Sequence, residues 1–292
     1  MVFKLFPSQR CRIRFFRWEL MLCVCVCVAA AMRLVVRGFL RFSARCCSHF
    51  QRLPPRSQSR RGSAARLYSN KSKDVGKFVI SVEGNIASGK TTCLEYFANV
   101  YNIEALKEPV PKWRNIWNHN LLALMYEDPS RWAITLQSYV QLTMLQQHIL
   151  PQTVPIRMIE RSIFSAKYIF VENHHRSFAM PDVDYAVLTE WFTWIVTNVN
   201  IPIDLIVYLQ TAPETCHERL KIRCRNEEQV IPLEYLKALH QLYEDWLIRQ
   251  TSFKVPAPVL VIPADHDVQM MLKQYEDHKE KILHPACKRS AP

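Results

Sequence analysis

Residues 77–92, KFVISVEGNIASGKTT, constrain the fold more than any other part of this 292-residue chain. Phe78, Val79, Ile80 and Val82 form a short apolar run, rich in β-branched side chains, of the kind that makes a buried strand. The run breaks at Gly84. Gly84-Asn85-Ile86-Ala87-Ser88-Gly89-Lys90-Thr91 then fits G-x-x-x-x-G-K-[ST], and a helix-like segment begins at Thr92 and runs over residues 92–98. Strand, glycine loop and helix in that order form an anion trap: loop N–H groups point inward, the helix N-terminus adds partial positive charge, and Lys90 supplies a mobile cation. Thr91 offers a hydroxyl to Mg2+. The bland alternative is a glycine turn between a strand and a helix.

The net charge of +12 would suggest nucleic acid or an anionic membrane if it were spread over the chain. It is not. Residues 1–68 hold fourteen Lys and Arg against one acid, Glu19, whereas residues 69–292 hold 24 Lys and Arg against 25 Asp and Glu. The remainder has no net basic charge with which to meet a phosphate backbone, which argues against nucleic acid as a partner. An Arg-rich, Ser-containing, acid-poor leader has the composition of a mitochondrial transit peptide, and Arg66-Leu67-Tyr68-Ser69 looks like a matrix-protease site. Residues 1–68 are therefore expected to be removed, leaving 69–292 as one domain in the matrix. The apolar run at 20–32 is too short for a membrane span. A secretory signal core or an uncleaved tail remain the alternatives for the leader.

Six of the ten cysteines precede residue 50, and the other four are scattered without C-x-x-C spacing, so a zinc site is not expected. No glycine follows Gly89 in the last 203 residues. A fold with many tight hairpins would want glycine at positive-φ turns; helices with simple αβ connections fit better.

After the glycine loop, residues 103–106 form a strand candidate ending in Glu108-Pro109, where the proline holds Glu108 extended. Residues 156–159 form another, ending in Glu160-Arg161-Ser162. In α/β sheets ligands bind at the carboxyl ends of strands, so both carboxylates sit where chemistry is expected. Helices are expected at 121–126, 132–150 with Asp128 as its cap, 165–173, 185–199, and after Thr211 as N-cap. Strands are expected at 204–209 and 260–262, and a last helix at 269–282. On the 132–150 helix, Gln137, Val140 and Met144 share one face, either as plain core or as a flat pocket with one amide. Arg219, Lys221, Arg223 and Arg225 cluster at a helix end beside a break, either as a solvated face or as a cationic flap over a transferring phosphate.

Strands alternating with helices from a P-loop onward predict an α/β P-loop kinase fold, a parallel sheet flanked by helices on both faces, to which the arginine cluster would add an arginine-rich lid if it is the flap. A phosphate loop, two strand-end carboxylates and an arginine cluster together make a phosphoryl-transfer site. Glu108 suits a neutral hydroxyl acceptor, which must lose a proton; an anionic phosphate acceptor would call for cations there.

The segments GNIASGKTT, EPVPKWRN, LMYEDP, LQSYVQLTML, ERSIFSAKYIFVEN, DLIVYL and RCRNEEQVIPLEYL, in order over about residues 77–262, resemble the deoxyribonucleoside kinase family. The resemblance implies ATP and Mg2+ as cofactors and transfer of the γ-phosphate to the 5′-hydroxyl of a deoxynucleoside, feeding mitochondrial DNA synthesis by salvage. It places Glu108 at that hydroxyl as base, Glu160 and Arg161 near the hydroxyl and Mg2+, and Gln137 on the base edge with Phe170 stacked on the ring. Trp113, Met125, Val140, Met144 and Ala166 would line the pocket, Tyr126 and Glu228 would bind the 3′-hydroxyl, and Arg219, Arg223 and Arg225 would be lid arginines. Leu136 departs from relatives that carry an aromatic there. Where purine-accepting relatives look to have Arg and Asp, this chain has Met144 and Ala166, so thymidine and deoxycytidine are the expected substrates. The family also implies a homodimer, with the aromatic-rich 185–199 helix as a candidate face. The rivals are a thymidylate-type nucleotide kinase and a non-catalytic kinase-like subunit.

Overall fold

The computed structural model describes residues 77–284; the leader reading, its cleavage point and the start of the domain at 69 lie outside them. Five parallel strands form one sheet in the order β2-β3-β1-β4-β5. The chain runs β1 (Phe78–Glu83), α1 (Lys90–Val100), β2 (Ile103–Leu106), α2 (Val110–Arg114), α3 (Leu121–Glu127), α4 (Pro129–His148) and β3 (Ile156–Glu160). It continues through α5 (Ile163–Ser165), a π-helical turn (Ala166–Val171), α6 (Glu172–Arg176), α7 (Asp182–Asn198), β4 (Leu205–Gln210) and α8 (Pro213–Arg223). A 3-10 turn (Asn226–Glu228), α9 (Leu233–Tyr243), a second π turn (Glu244–Ile248), β5 (Val259–Pro263) and α10 (Val268–Leu283) complete it.

The inner strands β1, β3 and β4 are buried on both faces, as a parallel sheet between helices requires, and the edge strands β2 and β5 are partly exposed. In β4, Leu205, Val207 and Leu209 pack with Ile80 and Val82 against Leu94 and Phe97 of α1 and Met271 and Tyr275 of α10. Ile206 and Tyr208 point the other way, onto Cys216 and Leu220 of α8 and Leu236 and Leu239 of α9. A third cluster joins α3, α4 and α7 through Met125, Leu136, Val140, Met144, Phe192 and Ile195. β1 lies between β3 and β4; its connection to β2 runs to one side of the sheet, and the connection from β3 to β4 runs to the other. This is the switch point, and the crevice outside the carboxyl ends of β1 and β3 is where a ligand fits.

Local chemistry fixes the ends. Asn120 caps α3 by accepting from the Ala123 N–H at 3.0 Å, and Asp128 caps α4 by accepting from Arg131 N–H at 3.2 Å, so α4 starts at Pro129 rather than at 132. Two expectations fail. Thr211 is not the cap of α8: Ala212 holds that position, and the Thr211 hydroxyl turns back to the Leu209 carbonyl. The helix expected at 165–173 starts at Ile163 and passes through the π-helical turn, where an extra residue in the coil shifts which side chains share a face. Among the described residues no helix is long and apolar enough to cross a membrane.

Candidate active site

The glycine loop is built as the motif demands. A Cβ at Gly84 would meet Ser88 Oγ at 2.7 Å and the Leu209 carbonyl at 2.8 Å, and φ there is +148°. Gly89 sits at φ +92° and precedes α1, whose first N–H groups have no side-chain cap. Those donors and the helix dipole are left for an anion. Asn85 anchors the loop: its Nδ2 donates to the Leu236 carbonyl at 2.9 Å and its Oδ1 accepts from the Ile86 N–H at 2.8 Å. Lys90 Nζ folds back to donate to the Asn85 carbonyl at 2.6 Å. Burial, and then the repulsion of Arg161, hold the Lys90 pKa down at about 8 against the pull of Glu160 and Glu108. Thr92 sits on the first turn of α1 and does not line the cavity described next.

Glu160 ends β3 opposite Val82, and the Thr91 hydroxyl donates to its Oε1 at 2.8 Å. A hydroxyl and a carboxylate beside a phosphate loop are hard oxygen donors of the kind Mg2+ takes, with water and phosphate oxygens completing its shell. Next in sequence, Arg161 adopts φ +59°, a left-handed conformation rare for a non-glycine residue. Its N–H bonds the Val82 carbonyl, its Nε and Nη2 donate to the Gly84 carbonyl at 3.3 and 3.1 Å, and its Nη1 donates to both oxygens of Glu108 at 2.9 and 3.0 Å. Burial disfavours the Arg161 charge, but Glu108, Tyr243 and Glu160 together outweigh this and raise its pKa above the ordinary value.

A cavity of about 470 Å³ opens from these groups, large enough for a small organic ligand. Lys90, Thr91, Glu108, Glu160 and Arg161 line it together with Ile86 and Ala87. Trp113, Met125, Gln137, Val140, Met144 and Ala166 line another part of its wall. The α4 stripe thus serves both readings of it: Val140 and Met144 pack in the core and also face the cavity, and the buried Gln137 Oε1 has no protein partner. An amide with an open acceptor in an apolar wall has hydrogen-bonding capacity to spare for a ligand. Trp113 is held in place by its indole N–H, which donates to Thr143 Oγ1 at 2.9 Å. Phe170 also lines the cavity, with the Arg161 guanidinium 4.7 Å above its ring.

Tyr126, Glu228, Arg223 and Arg225 lie on the cavity wall as well. Burial, and then Tyr235 and Glu228, push the Tyr126 phenol well above its usual pKa. Glu228 accepts from Arg223 and, at 3.1 Å, from Arg225 Nη1, so two arginines converge on one buried carboxylate. Arg219 does not join them: it donates to the His266 carbonyl at 2.7 Å and is absent from the cavity lining.

A family model for deoxynucleoside kinase matches residues 80–289. The chain belongs to the deoxynucleoside kinase family. It is 55% identical over 260 residues to mitochondrial thymidine kinase 2 of Macaca fascicularis, covering 88% of this chain and 98% of that one. It is 60% identical over 216 residues to the Homo sapiens mitochondrial thymidine kinase 2, covering 74% and 82%. It is 34% identical over 233 residues to Homo sapiens deoxycytidine kinase, covering 70% and 88%.

Sequence reasoning passed over several groups in this deoxynucleoside kinase site. Tyr235 lines the cavity with a buried hydroxyl that lacks a protein partner. Arg114, one residue after Trp113, pairs with Glu227 and ties α2 to the 3-10 turn. Glu83, fully buried at the end of β1, accepts from Ser81 and Ser162. Only Glu83 had a legible signal, an acid closing an apolar strand, the same signal that singled out Glu108 and Glu160.

Proposed function

We propose that this deoxynucleoside kinase transfers the γ-phosphoryl group of ATP to the 5′-hydroxyl of thymidine and of deoxycytidine. The observation that carries the reading is the Glu108 carboxylate, held by Arg161 where the apolar-walled cavity meets the P-loop. A hydroxyl must lose its proton as the 5′-oxygen–phosphorus bond forms and the bond to the ADP leaving group breaks. Glu108 accepts that proton, and Arg161, donating to both of its oxygens, holds the carboxylate in place. Lys90 leaves the Asn85 carbonyl for the phosphates. Thr91 and Glu160 would hold Mg2+, which when bound neutralises phosphate charge. Arg223 and Arg225 form the lid cations that meet charge developing during transfer.

Gln137 presents a donor and an acceptor, so one residue can pair with the edge of thymine or of cytosine. Met144 and Ala166 give an apolar wall that suits the thymine methyl and offers no charge to a purine. The names of the relatives, thymidine kinase 2 and deoxycytidine kinase, support both substrates. The relatives named as mitochondrial and the composition of the leader support the matrix as its location. A homodimer is part of the same reading. Of the α7 tryptophans and Phe192, Phe192 packs inside its own chain, which leaves the partly buried Trp191 and the half-exposed Trp194 as candidate contacts.

The test offers thymidine and thymidylate separately to the purified protein with γ-labelled ATP and Mg2+. Label on the thymidine 5′-oxygen supports the reading. Transfer to thymidylate alone would make the protein a nucleotide kinase, and transfer to neither would contradict the thymidine reading.

A further inference from the structure

Glu83 is an anomaly for a residue whose only duty is folding. It lies in the central strand of the sheet, fully buried, between β3 and β4. Burial drives its pKa up, while the Ser81, Ser162 and Ser165 hydroxyls and the Arg161 charge pull it down. A well-packed apolar side chain would serve stability as well as a buried ionisable group does. What the carboxylate supplies is a set of acceptors reaching three parts of the chain. Its Oε1 accepts from Ser81 Oγ at 2.7 Å and from Ser162 Oγ at 2.8 Å, and its Oε2 lies 3.4 Å from the Tyr243 hydroxyl of α9.

Ser162 is the lever. Its one O–H is committed to Glu83, while its Oγ accepts from the Ser165 N–H at 3.4 Å and so caps α5. The residue before it is Arg161, held at φ +59°. Gly84, the residue after Glu83, offers its carbonyl to the Arg161 guanidinium. Two consecutive residues of β1 and its loop thus grip the turn at 160–162 from both sides, one by the side chain of Arg161 and one by the residue that follows it. Backbone held in a sparsely populated conformation persists only where its surroundings over-determine it.

We propose that Glu83 is a positioning residue for phosphoryl transfer, its buried carboxylate fixing Ser162 and thereby aiming Arg161 at Glu108. The inference rests on the roles of Arg161 and Glu108 given above. Glu83 is not among the residues lining the cavity; it acts through the turn. Loss of its acceptor frees the Ser162 hydroxyl, and the left-handed residue beside it relaxes. The pocket residues Met125 of α3 and Gln137, Val140 and Met144 of α4 stand on other elements and stay in place. Small misalignments of reacting groups cost up to about 100-fold in rate.

The experiment measures kcat and the thymidine KM, per active site, for full-length Glu83→Ala, Glu83→Gln, Ser162→Ala and the double Glu83→Ala/Ser162→Ala. Glu83→Ala should lower kcat by about 10- to 100-fold with KM within about threefold. Glu83→Gln should recover most of the rate, because an amide oxygen accepts both serine hydroxyls. Ser162→Ala should show the same kcat-only loss, and the double variant should lose no more than the worse single one, as expected for groups acting as one unit. Ser162→Ala opens no large cavity and carries the expectation alone if Glu83→Ala does not fold. An unchanged kcat in Ser162→Ala, or fully additive losses, would overturn the proposal. If wild type is active and Glu108→Gln is not, such a result overturns the role of Glu83 alone; an inactive wild type overturns the kinase reading itself.

Discussion

The Arg161 guanidinium donates from one nitrogen to both carboxylate oxygens of Glu108, and from its other nitrogens to the carbonyl of the first P-loop glycine. One cation therefore joins the end of β2 to the phosphate loop. It holds the Glu108 carboxylate on the cavity wall beside the phosphate loop. Glu108→Gln keeps the shape and loses the proton acceptor. Turnover should fall roughly 10²- to 10⁴-fold in steady-state kinetics with thymidine, the usual worth of a general base. Near-normal turnover would remove Glu108 from that role.

Lys90 supplies a pH dependence. Its pKa of about 8 means that the free protein loses the ammonium as pH rises through that value, whereas bound phosphate requires it. ATP affinity should be full below pH 8 and weaken above it, by up to about tenfold per pH unit for one proton taken up on binding. Titration calorimetry across pH 7 to 9.5 reads this. Lys90→Met should bind weakly and without the slope.

Two buried histidines make stability sensitive to acid. His148 ends α4, and its Nε2 accepts from the Ile163 N–H at 3.2 Å, so the fold needs it neutral. Burial, then the charge of Arg157, holds its pKa down at about 4, and burial alone does the same for His174. The unfolded chain protonates both near 6.5, so it binds more protons than the fold between about 4 and 6.5. The stability they contribute is present above 6.5 and is lost as pH falls through that window. The thermal midpoint should drop steadily from pH 6.5 to 4.5, and His148→Gln, which still accepts the N–H, should flatten the slope.

Much of this was readable before the fold. Short runs ended by Gly84, Glu108 and Glu160 marked the strands, the first by its β-branched residues, because a parallel sheet places its chemistry at the carboxyl ends of its strands. The β2 boundaries at 103 and 106 follow directly. The π-helical turn at Ala166 was not readable, since one extra residue in a coil leaves the local apolar pattern intact. Nor was the split between Arg219 and Arg223: both lie on α8, and only the tertiary neighbours send one to His266 and the other to Glu228. For Gln137, periodicity marks a buried face, and only the cavity against that face distinguishes a pocket wall from core.

The apolar wall sets the choice of base. Met144 and Ala166 are both buried against the cavity. Met144→Arg with Ala166→Asp fills this space with a charged pair and crowds the site of the thymine methyl. The double variant should lose most thymidine activity in kcat/KM. Full retention would mean that selection lies elsewhere in the pocket.

The measurement that tests the account most directly is the initial rate of residues 69–292 on the four natural deoxynucleosides, each with ATP and Mg2+. The account predicts 5′-monophosphates of thymidine and deoxycytidine, with deoxyadenosine and deoxyguanosine poor. A preference for purines, or no phosphorylation of any of the four, would contradict it.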